Sequence, residues 1–406
     1  MQRLNRYWSY FDAIRKKVGF WGAMKYALKR VLSRKALPSS MTSKPNPVEF
    51  YRFIYSSPFG ECSVLDARMI INWVIPDFGI GSGGHLNIFR VVKKLEEKGF
   101  ICRIIIDGET HFSSGGEARE CIRKNFFPID AEVFLGREEL RPAAATFATG
   151  WTTAYTVRDF MASGTKYYFV QDFEPYFYPP GSEYRFAEET YRFGFVGITA
   201  GDWLAKKLAT EYGMRTIPFR FSYDRETYKP HPRREPHVKR VFFYARPVTA
   251  RRAFELGLLT LAMIHERKPD IEFVMAGWDL SGYEIPFPFL NAGVLPLSEL
   301  PDLYSQCDVA LVLSFTNVSL LPLEVMACNC AVVSNKGPNV EWLLNDNVAR
   351  LSDATPEALS NAIIELIEDN SELDRLKKNG LAFARSTNWD EEVEKIVNEI
   401  TKGLSR

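Results

Sequence analysis

The segment that decides the fold of this chain spans residues 314–329 and reads SFTNVSLLPLEVMACN. It follows an apolar, strand-like run at 308–313 and leads through a short polar loop into a helix predicted to begin near Pro322. Strand, loop and helix in this order are typical of a parallel α/β sheet, in which ligands bind at the carboxyl ends of the strands. Glu324 falls in the first turn of the predicted helix. There a carboxylate either supports the helix dipole or accepts hydrogen bonds from ribose hydroxyls.

The same pattern continues on both sides of this segment. Upstream we predict a strand at 238–244, a helix at 252–267, a strand at 271–276 and a helix at 298–306; downstream, three helices end the chain. A separate α/β run starts at Arg68, with a strand at 69–75, a helix at 86–98 and a strand at 100–106, and continues to about residue 221. The sequence therefore predicts an α/β protein with two Rossmann-like halves that face each other across a cleft.

Composition excludes several classes of protein. The chain has 406 residues, 46% of them hydrophobic, and a net charge of +1, which argues against disorder and against a nucleic-acid binder that works by bulk charge. No apolar run has the length of a transmembrane helix, and no secretory signal is recognisable. The six cysteines form no CxxC pair and the five histidines are scattered, so we expect a reducing compartment and no structural metal.

The even charge balance hides an asymmetry. Residues 1–35 carry ten Lys and Arg and one acid, Asp12, so this segment has a charge of +9 and the remainder −8. Its aromatic residues recur at helical spacing opposite the basic face, which is typical of a helix on a membrane surface. We expect it to bind the anionic inner face of the plasma membrane, which would make the protein cytoplasmic and peripheral. The alternative is a helix that packs on the acidic body.

A glycine-rich loop follows the first predicted strand. Residues 79–84 read GIGSGG and match GxGxxG, and Asp107 ends the second strand, so the loop alone would predict a dinucleotide site and an NAD-dependent oxidoreductase. A glycine loop serves any phosphate or sugar held at a helix N-terminus, and this match is weak on its own. The second half of the chain therefore decides between a dinucleotide site and a site for another phosphate or sugar.

Arginines follow the first strand of the second half. Arg246 comes directly after that strand, and Arg251 and Arg252 lie at the mouth of the next helix. Cationic side chains beside a helix N-terminus can clamp a diphosphate. Solvated surface arginines are the alternative.

These residues carry a resemblance to a known family. The second half resembles the donor domain of retaining GT-B glycosyltransferases of family 4, in which an Arg and a Lys five residues later grip the donor diphosphate. Arg246 and Arg251 have that spacing, with Arg for Lys. The family's E-x7-E segment is similar to Thr316–Glu324, where Thr316 replaces the first Glu and the Glu that binds ribose corresponds to Glu324. Asn329 stands where a glycine is usual.

A nearer group is similar over more of the chain. The segment 171–175, QDFEP, the aromatic first half and the basic extension resemble the WsaF-type rhamnosyltransferases of S-layer rhamnan assembly. This resemblance implies dTDP-β-L-rhamnose as donor, a growing lipid-linked rhamnan as acceptor, and neither metal nor other cofactor. The stretch 223–237, rich in Pro, Arg and His, is predicted to be an interdomain linker. We therefore divide the chain into a basic extension and linker (1–45), an acceptor-binding domain (46–222), this linker (223–237), a donor-binding domain (238–386) and a C-terminal helix that returns to the first domain (387–406).

The residues and the resemblance together give a candidate site. For the donor we expect Gly83, Gly84, Arg246, Arg251, Arg252, Gly277, Thr316, Asn317, Ser319, Leu320 and Glu324. For the acceptor we expect His85, Gln171, Asp172, Tyr176 and Tyr178. Asp172, Arg246 and Arg251 are the candidate catalytic residues: the arginines stabilise the leaving diphosphate, and Asp172 orients the acceptor or the sugar.

Three alternatives stay open at this point. Asp172 and Glu174 resemble the acidic metal-binding pair of GT-A transferases, although those enzymes have one α/β domain. The aromatic residues at 167–193 form either an acceptor groove, since sugars stack on rings, or an ordinary aromatic core. The missing Glu at position 316 keeps a non-catalytic, carbohydrate-binding protein of the same fold under consideration.

Overall fold

The computed structural model describes residues 46–61 and 69–404 and divides into two units, one ending at Tyr55 and one beginning at Ser56. In the first unit a short helix, α1 (Pro47–Phe50), is capped by the Asn46 side chain, and a 3-10 turn follows at Arg52–Ile54. The basic segment 1–35, which we predict to be an amphipathic helix, lies outside the described residues.

The second unit begins with a seven-stranded parallel sheet in the order β3-β2-β1-β4-β5-β6-β7. Its strands are β1 (Ile70–Ile75), β2 (Ile101–Ile106), β3 (Glu132–Leu135), β4 (Ala143–Ala148), β5 (Ser163–Val170), β6 (Val196–Ala200) and β7 (Arg215–Phe219). Its helices are α2 (Gly83–Glu97), α3 (Gly115–Asn125), α4 (Trp151–Asp159), α5 (Ser182–Glu189) and α6 (Asp202–Tyr212). We call this part the N-terminal domain.

Aromatic rings fill much of the core of the N-terminal domain. Trp73 of β1 stacks on Phe147 of β4 with ring centroids 4.3 Å apart, and Phe147 stacks on Tyr167 of β5 at 4.7 Å. Parallel strands buried on both faces need apolar side chains at every position, and stacked rings on neighbouring strands supply that area. This packing fixes the strand ends from which the site is built.

A second parallel sheet, of six strands, forms the C-terminal domain in the order β10-β9-β8-β11-β12-β13. Its strands are β8 (Arg240–Tyr244), β9 (Glu272–Ala276), β10 (Leu290–Gly293), β11 (Val309–Val312), β12 (Ala331–Asn335) and β13 (Arg350–Ser352). Its helices are α7 (Phe254–Arg267), α8 (Leu300–Ser305), α9 (Leu321–Ala327), α10 (Pro338–Glu341), α11 (Pro356–Glu368) and α12 (Asn370–Ser386). The prediction of two Rossmann-like α/β halves is confirmed.

The last helix, α13 (Trp389–Leu404), packs on the N-terminal domain. Lys94 of α2 pairs with Asp390 at 2.6 Å, and the Arg90 guanidinium lies 4.9 Å from the ring centroid of Trp389. Such half-exposed ion pairs contribute little, so the buried apolar face of the helix supplies most of the attachment. Among the described helices, none is both long enough and apolar enough to cross a membrane.

Candidate functional site: an arginine cluster between the two domains

Three arginines lie in the loop that follows β8. Tyr244 ends the strand, Arg246 comes two residues later, and Arg251 and Arg252 end a 3-10 turn just before α7. Arg246 Nη1 donates to the Tyr244 hydroxyl at 3.3 Å, and Arg252 Nη1 donates to Ser314 Oγ at 2.8 Å. The end of β8 and the loop after β11 therefore orient two of the three guanidinium groups.

One carboxylate faces this arginine cluster. Asp172 Oδ2 of the N-terminal domain lies 3.7 Å from Arg251 Nε. Burial lowers the pKa of Arg252; the Asp172 charge opposes that shift, and Arg251 and Arg246 add to it. Among the described residues, Nε of Arg246 and Nε of Arg251 are buried without a hydrogen-bond partner. Surplus positive charge and unpaired buried donors are the features that a diphosphate satisfies.

The turn that carries the arginines contains an unusual backbone angle. Ala253 has φ 49° and so lies in the left-handed region, which a residue with a Cβ adopts only at a cost. Its carbonyl accepts the amide of Gly257 at 3.0 Å as the first bond of α7, and the Arg251 carbonyl accepts the amide of Phe315 at 3.0 Å. Ala253 therefore turns the chain sharply between Arg252 and the helix.

The residue at position 277, beside the arginine cluster, is a glycine because no side chain fits there. It directly follows β9 with φ +109°, and a Cβ at this position would lie 2.6 Å from the ring of Tyr244. The glycine thus allows the ring of Tyr244, whose hydroxyl holds Arg246, to lie against the neighbouring backbone.

The glycine loop after β1 forms the start of α2, which begins at Gly83, three residues earlier than predicted. A Cβ on Gly79, Gly81 or Gly83 would meet no atom within 4 Å, so the backbone here borders open space. Gly84 is tied to the neighbouring strand end, since Gln171 Nε2 donates to its carbonyl at 3.0 Å. The loop can therefore approach a phosphate or a sugar closely.

His85 uses both ring nitrogens within the glycine loop. Its Nε2 lies 3.3 Å from the Pro76 carbonyl, which can only accept, so Nε2 carries the proton and Nδ1 accepts from Ser82 Oγ at 2.8 Å. Burial lowers the pKa of His85. The predicted acceptor contact through this ring would require one of these bonds to break, and the observed role of His85 is to hold the loop.

Asp172 is bound by the opposite domain. Its two carboxylate oxygens accept from Thr316 Oγ1 at 2.7 Å and from the backbone amide of Asn317 at 2.7 Å. Burial raises the pKa of Asp172, and these two hydrogen bonds oppose that shift. The carboxyl ends of β5 and β11 therefore meet at a carboxylate that lies next to the arginine cluster.

The Asn317 side chain also joins the domains. Its Nδ2 donates to the carbonyls of Gln171 at 2.9 Å and Ala200 at 2.7 Å, and its Oδ1 accepts from Trp342 Nε1 at 2.8 Å. The Thr316 hydroxyl and the Asn317 amide, both expected to contact the donor, are thus used between the domains.

The aromatic segment 167–193 divides into two parts. Phe173 and Tyr191, with the tyrosines of β5, are buried, whereas Tyr176 and Phe177 are 44% and 37% exposed. The Phe177 ring covers Arg251, with the guanidinium carbon 4.1 Å from the ring centroid. Tyr178 accepts a hydrogen bond from the Trp151 indole at 3.0 Å. Part of the segment is an ordinary core, and two rings, Tyr176 and Phe177, remain exposed, of which Phe177 lies against the arginine cluster.

The metal alternative required Asp172 and Glu174 to act together. Glu174 instead accepts from the Trp151 amide and the Tyr168 hydroxyl, each at 2.8 Å, and burial raises its pKa to about 7. Its two oxygens therefore face different partners from those of Asp172. No group of three or more potential metal ligands occurs among the described residues.

Glu324 lies in the first turn of α9, as predicted, at the end of the loop that contains Ser319 and Leu320. Burial raises its pKa to about 7, while a hydrogen bond with Tyr228 and the charge of Arg90 oppose that shift. Tyr228 belongs to the linker and Arg90 to α2. The expected ribose anchor is therefore already in contact with the linker, and a ribose would share it with Tyr228.

Asp107, the residue that an oxidoreductase would need for ribose, is engaged elsewhere. Its Oδ2 accepts from Thr156 Oγ1 at 2.5 Å, and burial raises its pKa. The glycine loop thus lacks the free carboxylate that a dinucleotide site of this type requires.

The structure links several of the expected residues. A continuous set of contacts runs from Gly84 through Gln171 and Asp172 to the Thr316–Asn317 loop and the arginine cluster. Sequence reasoning missed Phe177 and Trp342, which contact this set. Neither belongs to a recognisable motif; only the unusual density of rings at 167–193 pointed to Phe177.

A cavity of about 810 Å³ lies away from this site, at the edge of the C-terminal sheet next to β10. Its lining includes Phe273, Phe289 and Leu303. Its arginines are paired, for example Arg240 with Glu272 at 2.7 Å, so it offers no free charge for an anion.

Comparisons with known proteins agree with the two-domain α/β fold. Residues 239–364 match the family model described as WsaF, C-terminal domain. The chain is 34% identical over 344 residues to the O-antigen biosynthesis protein RfbC of Myxococcus xanthus, a match that covers 82% of this chain and 26% of RfbC. The chain therefore spans about a quarter of the length of this curated relative.

Solved structures show the same fold. Sucrose-phosphate synthase of Thermosynechococcus elongatus aligns with a TM-score of 0.63 at 12% identity over 83% of this chain and 99% of that one. Anabaena HepE in complex with UDP-glucose aligns at 0.60 with 17% identity, over 83% and 99%. WaaG, a glycosyltransferase involved in lipopolysaccharide biosynthesis, aligns at 0.55 with 13% identity, over 82% and 99%. The chain has the GT-B fold, and residues 239–364 are similar to the C-terminal domain of WsaF.

Proposed function

We propose that this GT-B protein of the WsaF type is a glycosyltransferase of polysaccharide or O-antigen assembly. Its proposed reaction moves a rhamnosyl group from dTDP-β-L-rhamnose to a growing, lipid-linked rhamnan without a metal ion. The observation that carries the proposal is the arginine cluster, which presents three guanidinium groups at the carboxyl ends of the strands and in which, among the described residues, Asp172 is the carboxylate within ion-pair distance. A nucleotide-sugar diphosphate has the charge and the shape to fill it.

The proposed chemistry is a substitution at the anomeric carbon of the donor. The bond from that carbon to the β-phosphate oxygen breaks, and a bond to an acceptor hydroxyl oxygen forms on the same face of the sugar. The acceptor proton passes to the departing phosphate oxygen. Arg246 and Arg251 stabilise the charge that develops on the diphosphate, which is the largest electrostatic demand of such a step.

Each domain has its own part in this proposal. Arg246, Arg251 and Glu324 of the C-terminal domain hold the diphosphate and ribose of the donor. The exposed rings of Tyr176 and Phe177, the second of which lies against Arg251, offer the acceptor apolar surface, since the faces of deoxysugars pack well on aromatic rings. The WsaF-type match and the O-antigen relative support a glycan acceptor.

Ligand binding tests the donor assignment directly. Calorimetric titration of the full chain with dTDP, UDP, GDP and NAD should give the tightest binding for dTDP, and binding should survive EDTA because arginines replace the metal. Transfer from dTDP-β-L-rhamnose to a short rhamnan is the second step. Binding of NAD alone would favour the oxidoreductase, and binding of dTDP without transfer or hydrolysis would favour the non-catalytic protein.

We also propose that residues 1–35 attach the protein to an anionic membrane surface, where a lipid-linked acceptor lies. Their charge of +9 carries this proposal, because each basic residue near such a surface contributes about 1 kcal/mol. A variant lacking residues 1–45 should lose sedimentation with anionic vesicles and keep its melting temperature. If the full chain fails to bind such vesicles at low salt, the attachment is wrong.

A further inference from the structure

Asn317 makes three hydrogen bonds to the N-terminal domain. Its side chain is 2% exposed, and its amide nitrogen donates to two carbonyls of the N-terminal domain, those of Gln171 and Ala200. Its backbone amide donates to the Asp172 carboxylate at 2.7 Å. The orientation of this one residue therefore affects both the domain contact and the position of the carboxylate.

The side-chain amide of asparagine can turn over, because its oxygen and nitrogen ends have nearly the same shape. If the amide turned over, Asn317 Oδ1 would face the carbonyl oxygens of Gln171 and Ala200, and none of these three acceptors could donate a hydrogen bond. The indole N–H of Trp342 is a donor only and lies 2.8 Å from Asn317 Oδ1. Trp342 and the two carbonyls thus act together to select the single orientation in which every polar atom of the side chain is paired.

The Trp342 ring is itself fixed from the N-terminal side. A Cβ on Gly201 would lie 2.5 Å from the ring, so the ring packs directly on the glycine backbone. Phe221 lies on another side, with ring centroids 5.8 Å apart. The indole N–H consequently has a defined direction, which a long flexible donor would lack.

We infer that Trp342 is a positioning residue for Asp172 and acts through Asn317. This inference rests on the proposed function, since it assigns Trp342 to the sugar-transfer step and not to nucleotide binding. Trp342 touches neither the arginine cluster nor Glu324 in any contact described above. Its loss should therefore affect the transfer rate through Asp172 and leave the diphosphate contacts as they are.

The test compares two tryptophan variants. Trp342→Phe keeps a ring beside Gly201 and removes the N–H that orients Asn317. Trp389→Phe is the matched control, because Trp389 is 7% exposed, its indole Nε1 is buried without a hydrogen-bond partner among the described residues, and phenylalanine keeps a ring beside Arg90. With dTDP-β-L-rhamnose, Trp342→Phe should lower kcat about tenfold and leave the Kd for dTDP within threefold of the wild type, whereas the control should change neither.

A double-mutant cycle separates positioning from general stability. In an Asp172→Asn background, Trp342→Phe should lower kcat by less than twofold, because the carboxylate that it positions is gone. A residue that only stabilises the fold would lower kcat equally in both backgrounds and would lower the melting temperature. Equal losses in both backgrounds, or an unchanged kcat in Trp342→Phe alone, would overturn the inference.

A measurement without donor keeps the inference distinct from the proposed function. Amide hydrogen exchange should show weaker protection at Asn317 in Trp342→Phe and unchanged protection in Trp389→Phe. If this difference appears but the wild type neither binds dTDP nor transfers rhamnose, the proposed function fails while the positioning of Asp172 stands. If Asn317 is protected equally in both variants, the positioning role is wrong whatever the substrate.

Discussion

The ring of Phe177 in the N-terminal domain lies over the guanidinium of Arg251 in the C-terminal domain, with 4.1 Å between the guanidinium carbon and the ring centroid. The arginine that faces the donor diphosphate in the proposed function is thus held from one side by the domain expected to bind the acceptor. A cation–π contact of this kind contributes about 0.5–2 kcal/mol.

Removal of this ring should weaken the donor site from the opposite domain. Phe177→Leu keeps apolar bulk and loses the π face, so we expect dTDP affinity to fall about 2- to 30-fold in calorimetric titration. Phe193→Leu is the control, because that ring covers Arg158, away from the cluster, at 5.2 Å. An equal loss in both variants would mean that the effect comes from core packing.

Arg246 and Arg251 should act on the diphosphate and not on the base. Changing either to Gln removes a charge-assisted hydrogen bond worth about 1.5–3 kcal/mol, so dTDP binding should weaken about 10- to 150-fold while thymidine binding changes little. Arg234→Gln, which removes an exposed ion pair with Asp302, serves as the control. Parallel losses for dTDP and thymidine would assign the two arginines a structural role.

Asp172→Asn should separate binding from turnover. The neutral amide removes the carboxylate charge 3.7 Å from Arg251, so dTDP should bind as tightly as before or several-fold more tightly. Transfer should fall about 10- to 150-fold, because the hydrogen bonds of Thr316 and Asn317 then hold a neutral group. Weaker dTDP binding in this variant would contradict the role of Asp172 as counter-charge to the cluster.

The stability of the protein should fall as the pH rises towards and through 7. Burial raises the pKa of Glu324 to about 7, above the 4.5 of a free glutamate, so the folded state binds more protons than the unfolded state between these values. Stability is then greatest at the acidic end of this window, and the loss at pH 8 approaches roughly 3 kcal/mol.

Glu324→Gln tests whether the stability of the protein falls as the pH rises. The neutral side chain should raise the melting temperature at pH 8, have little effect at pH 5, and flatten the dependence between them. Glu174, whose pKa burial also raises to about 7, keeps its own contribution in this variant, so the flattening should be partial. A variant less stable than the wild type at pH 8 would show that Glu324 is ionised and well paired in the fold.

The sequence predicted the architecture because each half repeats a local pattern. Apolar runs at 69–75 and 100–106 became β1 (Ile70–Ile75) and β2 (Ile101–Ile106), with ends within one residue. The start of α11 is marked just as locally, since Thr355 ahead of Pro356 is a typical helix start and the Thr355 side chain accepts from the Ala358 amide. Such features depend on neighbours a few residues apart, which a sequence displays directly.

The contacts of the site could not be predicted in the same way. Asp172 and Thr316 are separated by 144 positions, and only the docking of two sheets brings them together. In the sequence, Thr316 therefore indicated only that the first Glu of the E-x7-E segment is missing. In the structure, the carboxylate of Asp172 from the other domain lies 2.7 Å from the Thr316 hydroxyl. The start of α7 was placed at Arg252 and not at Phe254, because the angle at Ala253 has no sequence signature.

That angle at Ala253 sets a limit on how this protein can be stabilised. A left-handed alanine stores roughly 1–2 kcal/mol that glycine would release, so Ala253→Gly is an obvious change for an engineer who seeks a higher melting temperature. Glycine would also make the turn more flexible, and this turn orients Arg251 and Arg252 before any ligand binds. We expect the variant to gain thermal stability and to lose donor affinity. In the natural sequence, the rigidity of the arginine cluster is thus maintained by a backbone angle that lowers the stability of the fold.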